Sequence, residues 1–293
     1  MQMVRSLGFL VAFILLAALP VRAADSAPSQ RKPASEYTVT VIPYYSPEKL
    51  WPKFQPLVDY LRESTGKPWT LKLYPNHEET INALCSGAVG LALLGPIPLA
   101  RSIEKCGADI VAVAIGSDGT LFYQSVIVTT DPTVRDLSQL RGKQIGLFKG
   151  STAAHIMPMK MLRTAGLGKS DVRPVFFEGQ DRIMTALLNG EVTAAGMKDV
   201  LYKRFHDSRL HVVKISASMP NFAFAASPLL SSRTKSLFSK SLLRLNPGKS
   251  ARDREQMLGW DDEIRNGFVA PPDSYYSSVM DLFSAYQEVT SEK

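Results

Sequence analysis

From Tyr37 onward, short apolar runs alternate with stretches whose apolar residues recur every three or four positions. Tyr37–Ile42 reads as a strand. Leu50, Phe54, Leu57, Val58 and Leu61 share one face of a helix over Pro47–Ser64, which Thr65-Gly66 stops. Trp69–Tyr74 predicts a strand and His77–Ser86 a helix ended by Gly87. Val89–Leu94 is almost wholly apolar, as a strand buried on both faces should be. Pro96 opens a helix to about Lys105, and Asp109–Ile115 is the next strand. The alternation continues with a strand at Ser125–Thr130, a short helix at Val134–Leu140, a strand at Gln144–Phe148 and a helix at Ser151–Ala165. Then come a strand at Val172–Phe177, a helix at Gln180–Asn189, and strands at Val192–Met197 and Val212–Ser216. Beyond Ser231 the pattern is helical, with amphipathic stretches near Thr234–Leu243, Ala251–Trp260 and Ser274–Val289.

Strand–helix alternation of this kind predicts parallel sheets with helices on both faces. Two blocks, about 37–122 and 126–210, each pass from a strand through Gly into a helix start: Leu93-Leu94-Gly95-Pro96 and Phe148-Lys149-Gly150-Ser151. About 255 residues with a helical tail suit two lobes better than one sheet. The expected fold is α/β and two-lobed, each lobe a mostly parallel sheet flanked by helices, with a helical C-terminal tail. Residues 37–123 and 217–293 would form one lobe and 124–216 the other.

The N-terminus adds a compartment. Arg5 precedes the uncharged run Leu7–Leu19, Pro20 breaks it, and Val21-Arg22-Ala23 sets small residues before a cut after Ala23. A run of about 13 residues is short for a membrane span of roughly 20. Residues 1–23 therefore read as a cleaved signal peptide that exports the chain to the periplasm, and 24–36 as a polar, disordered leader. Net charge is +7, and the signal carries two of those charges, Arg5 and Arg22, which leaves +5. A mild basic bias suits an anionic ligand. With no basic run, it does not suit nucleic acid.

Three places could carry chemistry. Gly150-Ser151-Thr152 follows a strand and opens a helix, where free N–H groups and the positive dipole end make either an anion site or an ordinary cap. Gly95-Pro96 is a second such spot, and in a two-lobed fold the two ends would converge on one cleft. Tyr123-Gln124-Ser125 lies at the crossover between the blocks, as ligand donors or as hinge packing. The two cysteines, Cys85 and Cys106, form a disulfide in an exported protein or a thiol pair for a soft ligand such as trivalent arsenic. The four histidines show no metal-ligand spacing. No nucleophile–base set or Gly-x-Ser-x-Gly elbow occurs, so a binding protein without cofactor or metal is expected, not an enzyme.

These landmarks resemble the substrate-binding proteins of phosphate/phosphite/phosphonate ABC transporters, of the type 2 periplasmic-binding fold. The resemblance runs from about Tyr37 to Pro220. It rests on Trp51-Pro52 leading to Tyr60-Leu61 and Thr65-Gly66, on Leu84–Gly95 (LCSGAVGLALLG), and on Tyr123-Gln124-Ser125 before a Val-Ile-Val strand. Leu137–Lys143 (LSQLRGK), Ser151-Thr152 followed by Pro158, Asn189-Gly190-Glu191-Val192 and Ser218-Met219-Pro220 complete it. The family's Ser-Thr-Ser-Gly oxyanion clamp is matched by Ser151, Thr152, Ala153 and Ala154, with one hydroxyl lost. The resemblance implies that Tyr44, His77, Gly95, Tyr123, Ser125, Ser151, Thr152, Ala153, Gln180 and Lys198 surround a small oxyanion. Gln180 stands where the family has His. The acidic residues that hold the ammonium of an aminoalkylphosphonate find no match; Lys198-Asp199 and Phe222 stand near those positions. Lys198 would either bond the anion or be a solvated surface residue. The implied partner is an inner-membrane ABC permease served by a monomer. A branch that senses arsenic oxyanions and signals to a membrane histidine kinase is the alternative.

Overall fold

The computed structural model describes residues 36–291. Residues 1–35, which the sequence reads as a signal peptide and most of a leader, lie outside the described residues. The chain begins with β1 (Thr38–Val41), α1 (Pro47–Thr65), β2 (Thr70–Leu71), α2 (His77–Cys85), β3 (Leu91–Leu94), α3 (Pro96–Cys106) and β4 (Asp109–Ala114). The short β5 (Phe122–Tyr123) leads into β6 (Ser125–Thr129), a 3-10 turn at Leu137–Leu140, and β7 (Gln144–Leu147). A wide π-helical turn, Thr152–Ile156, runs into α4 (Met157–Thr164). After it come β8 (Arg173–Phe176), α5 (Gln180–Leu188), β9 (Ala194–Lys198), α6 (Asp199–Tyr202) and β10 (His211–Ile215). The return is β11 (Met219–Pro220), β12 (Ala223–Ala226), α7 (Ser232–Leu243), α8 (Ala251–Gln256), β13 (Phe268–Val269) and α9 (Asp273–Thr290).

Two sheets result. The first is ordered β13-β4-β12-β3-β1-β2, the second β10-β6-β9-β7-β8. Both are more mixed than the alternation implies. In the first, β1, β2 and β3 are parallel, but β12 enters antiparallel between β3 and β4, and β13 pairs antiparallel with β4. In the second, β7 is parallel to β8 and β9, while β6 runs antiparallel to both its neighbours. The cause is connectivity: strands that leave one sheet and return from the other come back in the opposite direction. β12 (AFAA) carries no β-branched residue, yet all four positions are buried, because it is a central strand with Ala225 opposite Ala92 and Phe224 opposite Leu93.

Local chemistry explains the element ends near the centre of the molecule. Asn76 caps α2, its side-chain oxygen accepting from the Glu79 N–H. Gly66 ends α1 at φ +63°, in the left-handed region open to glycine. The sheets are connected twice, at β5 and β11, which pair antiparallel with Met219 opposite Tyr123. The C-terminal α9 packs against α3, where the Arg101 guanidinium lies 5.0 Å over the Tyr286 ring, and it reaches α4 through Arg163, which donates to the Glu288 carbonyl.

Cys85 and Cys106, at the ends of α2 and α3, form a disulfide with Cα atoms 5.5 Å apart. It closes a loop with a sequence separation of 21. A loop of that size is worth about 3 kcal/mol against the unfolded chain. Reduction, or Cys85→Ala with Cys106→Ala, should therefore lower the thermal unfolding midpoint by several degrees. An unchanged midpoint would show that the bond constrains nothing.

Candidate functional site

A small cavity of about 20 Å³ lies where the two sheets face each other. Its wall takes nine of the ten residues singled out in the sequence: Tyr44, His77, Gly95, Tyr123, Ser151, Thr152, Ala153, Gln180 and Lys198. The exception is Ser125, which sits behind the wall and donates its hydroxyl to the Ala153 carbonyl at 2.6 Å. It positions the helix start rather than facing the cavity. Ile42, Pro98, Phe222 and Glu263 complete the lining.

The polar side chains are oriented by backbone N–H groups. β7 ends at Leu147, and Gly150, at φ +82°, turns the chain into the π turn. A Cβ at Gly150 would lie 3.1 Å from His77 Nδ1. Ser151 Oγ accepts from the Ala154 N–H at 3.2 Å. Thr152 Oγ1 accepts from the Ile97 N–H at 3.0 Å, so it caps α3 from across the cleft. Gln180 Oε1 accepts from the Lys198 N–H at 2.9 Å. The Gln180 N–H₂ and the Ser151 hydroxyl proton are left for the cavity, while the Thr152 hydroxyl also makes a side-chain hydrogen bond with Tyr123. The N–H groups of Thr152 and Ala153 begin the helix and have no acceptor inside it. Burial holds the Tyr123 phenol well above its usual range, so it stays protonated.

The two helix starts do converge, but unequally. Pro96 and Pro98 lack N–H groups, and Ile97, the donor between them, is already used by Thr152. The free backbone donors are all on the α4 side. Two wall residues spend their donors elsewhere: the Tyr44 hydroxyl donates to Asp261 Oδ1 at 2.6 Å, and His77 Nε2 donates to the Pro43 carbonyl at 2.9 Å. Lys198 is not a solvated residue. It is 3% exposed and its Nζ is 2.5 Å from Glu263 Oε2. An acidic side chain therefore does face the cavity, contrary to the expectation from sequence. It comes from the segment between α8 and β13, where Trp260-Asp261-Asp262-Glu263, an acidic run in a basic chain, was the available signal.

A wider groove of about 990 Å³ opens on the other side of His77. Two of its cations, Lys49 and Arg101, are already paired with Asp181 and Glu78. Neither cysteine lines the cavity or the groove, so the thiol-ligand alternative has no support in the geometry. Among the described residues no cluster of His, Cys, Asp or Glu could hold a metal ion.

Two histidines at this boundary are held neutral. Burial lowers His77 from 6.5 to about 4. Burial, then the charges of Lys169 and Lys149, lowers His155 from 6.5 to about 4, and its Nδ1 accepts from the Gly150 N–H at 3.1 Å. The unfolded chain therefore takes up protons that the folded chain refuses between about pH 6.5 and pH 4. Stability is complete above that window and falls as pH drops through it, on the order of 2–3 kcal/mol for His77 alone. Thermal unfolding against pH should show this decline, and His77→Gln should flatten it; a slope that His77→Gln leaves unaltered would contradict the assignment.

The comparisons with known proteins converge on one group. A family described as ABC transporter, phosphonate, periplasmic substrate-binding protein matches residues 39–276, a span that includes every residue of the cavity wall. PhnD1 from Prochlorococcus marinus (MIT 9301), solved in complex with methylphosphonate, superposes with a TM-score of 0.73 at 12% identity, covering 86% of this chain and 97% of that one. XAC2383 from Xanthomonas citri, bound to a chloride ion, gives 0.72 at 14% identity over 87% of this chain and 99% of that one. These two likenesses show the fold. A putative aliphatic sulfonates-binding protein of Escherichia coli (strain K12) is 26% identical over 129 residues, 44% of this chain; the match spans about two-fifths of that relative's length, 39%. With the family's span laid over an α/β fold of two facing sheets, the chain belongs to the phosphonate-type periplasmic substrate-binding proteins of ABC transporters, a family of binding proteins and not of enzymes.

Proposed function

We propose that the protein binds a small oxyanion (phosphite, phosphate, a simple phosphonate or an arsenic oxyanion) in the cavity between the two sheets and presents it to an inner-membrane ABC permease. It works as a monomer in the periplasm after removal of residues 1–23. The observation that carries the reading is the orientation of the wall. Ser151, Thr152 and Gln180 each accept from a backbone N–H, which leaves the Ser151 hydroxyl and the Gln180 N–H₂ as donors at a site that also holds the first N–H groups of a helix. Such a wall suits a compact ligand with several acceptor oxygens.

The two sheets would be the cores of two lobes, residues 37–123 with 217–293 and residues 124–216, hinged at the paired strands β5 and β11. The cavity's 20 Å³ is of the order that one water requires. The described arrangement would thus be a closed one, and the lobes would part for ligand to enter. Ligand shifts the balance only by its preference for the closed state. The transport reading stands ahead of arsenic sensing through a histidine kinase, because the cysteines that would favour a soft ligand are bonded to each other away from the cavity.

Thermal unfolding of the mature protein should rise with at least one of phosphite, phosphate, methylphosphonate, arsenite and arsenate. The stabilisation is about 2.7 kcal/mol at 100 times the dissociation constant. Ser151→Ala with Thr152→Ala should weaken binding by about 1–3 kcal/mol in calorimetric titration, since each change removes a donor to a charge. Affinity untouched by both changes would move the site elsewhere, and no response to any oxyanion would sink the reading.

A further inference from the structure

The cavity wall contains a feature that anion binding does not require. Lys198, the last residue of β9, and Glu263, from the segment between α8 and β13, meet across the cleft with side chains 4% and 7% exposed. The Lys198 ammonium also donates to Asn221 Oδ1 at 3.1 Å. It lies 4.3 Å from the centre of the Tyr123 ring and 4.5 Å from that of Phe222. A carboxylate, an amide oxygen and two aromatic faces together are a receptor for an alkylammonium group. The receptor is rigidly set. The Glu263 N–H donates to Asp261 Oδ1 at 2.9 Å, the same carboxylate that takes the Tyr44 hydroxyl. All of these groups except Lys198 belong to the first sheet's side or to the crossover, and the cation that fills them comes from the second sheet.

We propose that Lys198 is a specificity-determining residue of the cleft: its ammonium occupies a cation cage built around Glu263, and so confines the ligand to oxyanions that carry no cationic arm. The inference rests on the oxyanion reading of the cavity. It follows from charge and space. With Lys198 in place, Glu263 is neutralised, and a ligand ammonium would meet a like charge in a site with no free carboxylate. With the lysine side chain removed, the same wall offers both a vacated volume and an unpaired carboxylate next to the helix start that holds the anion. That combination is a zwitterion site.

The test is calorimetric titration of methylphosphonate and aminoethylphosphonate, which share a head group and differ by the cationic arm. Wild-type protein is expected to bind methylphosphonate at least 100-fold more tightly. Lys198→Ala is expected to gain at least tenfold toward aminoethylphosphonate, and Lys198→Ala with Glu263→Gln is expected to lose that gain. Comparable affinity of the wild type for the two compounds would overturn the proposal. So would a Lys198→Ala protein that still binds methylphosphonate yet gains nothing toward the amine. Circular dichroism checks that the variants fold; if the unpaired Glu263 prevents folding of Lys198→Ala, the wild-type comparison decides alone. A wild type that binds neither these compounds nor phosphite fails differently: it removes the oxyanion reading itself, and this inference with it.

Discussion

The contact on which the site depends is the hydrogen bond from the Ile97 N–H to Thr152 Oγ1. It joins the start of α3, on the first sheet's side, to the start of the helical segment on the second. It also decides the polarity of the cavity. The Thr152 hydroxyl accepts from Ile97 and also bonds the Tyr123 phenol, so the one contact fixes both groups at the wall of the enclosed space. Ser151 and Gln180 are set by the same logic, through the Ala154 and Lys198 N–H groups. The fold thus uses main-chain donors of its own to orient three side chains of the wall. The two prolines at the start of α3 leave the anion-holding task to the opposite helix, and α3 contributes closure instead of charge.

Electrostatically the cavity is balanced rather than strongly positive. Lys198 is cancelled by Glu263, and Asp261 is met by the Tyr44 hydroxyl and by Lys53 at 3.6 Å. A buried ion pair contributes little to stability on balance, because desolvation offsets most of the attraction, whereas removal of one partner costs about 3–5 kcal/mol. Its contribution is therefore assigned to selectivity, as proposed above, rather than to stability. What remains for a ligand is the helix start, whose N-terminus presents the equivalent of roughly half a positive charge, plus oriented neutral donors. Such a site suits a compact oxyanion.

Much of this was legible in the sequence. Gly150-Ser151-Thr152 after a strand identified the helix start, and Tyr123-Gln124-Ser125 identified the crossover between the sheets. What was not legible involves partners distant in sequence. The central strand Ala223–Ala226 has none of the β-branched residues that mark strands, and its burial comes only from insertion between β3 and β4. Lys198 can be read as a surface residue until Glu263, 65 positions away, is placed against it. Ser125 has the chemistry of a ligand donor, but its hydroxyl is spent on the Ala153 carbonyl. Single residue types suggest donors, whereas only the fold shows which donors remain unspent.

The central claim is that the oxyanion seat is the Ser151–Thr152 helix start within the inner cavity. A crystal structure of the protein grown with methylphosphonate tests it most directly. The account predicts phosphonate oxygens at roughly 2.7–3.2 Å from the Thr152 and Ala153 N–H groups and the Ser151 and Thr152 hydroxyls, with Lys198 still on Glu263. An anion bound instead in the outer groove, beside Lys149 and Arg182, with the inner cavity unchanged, would contradict it.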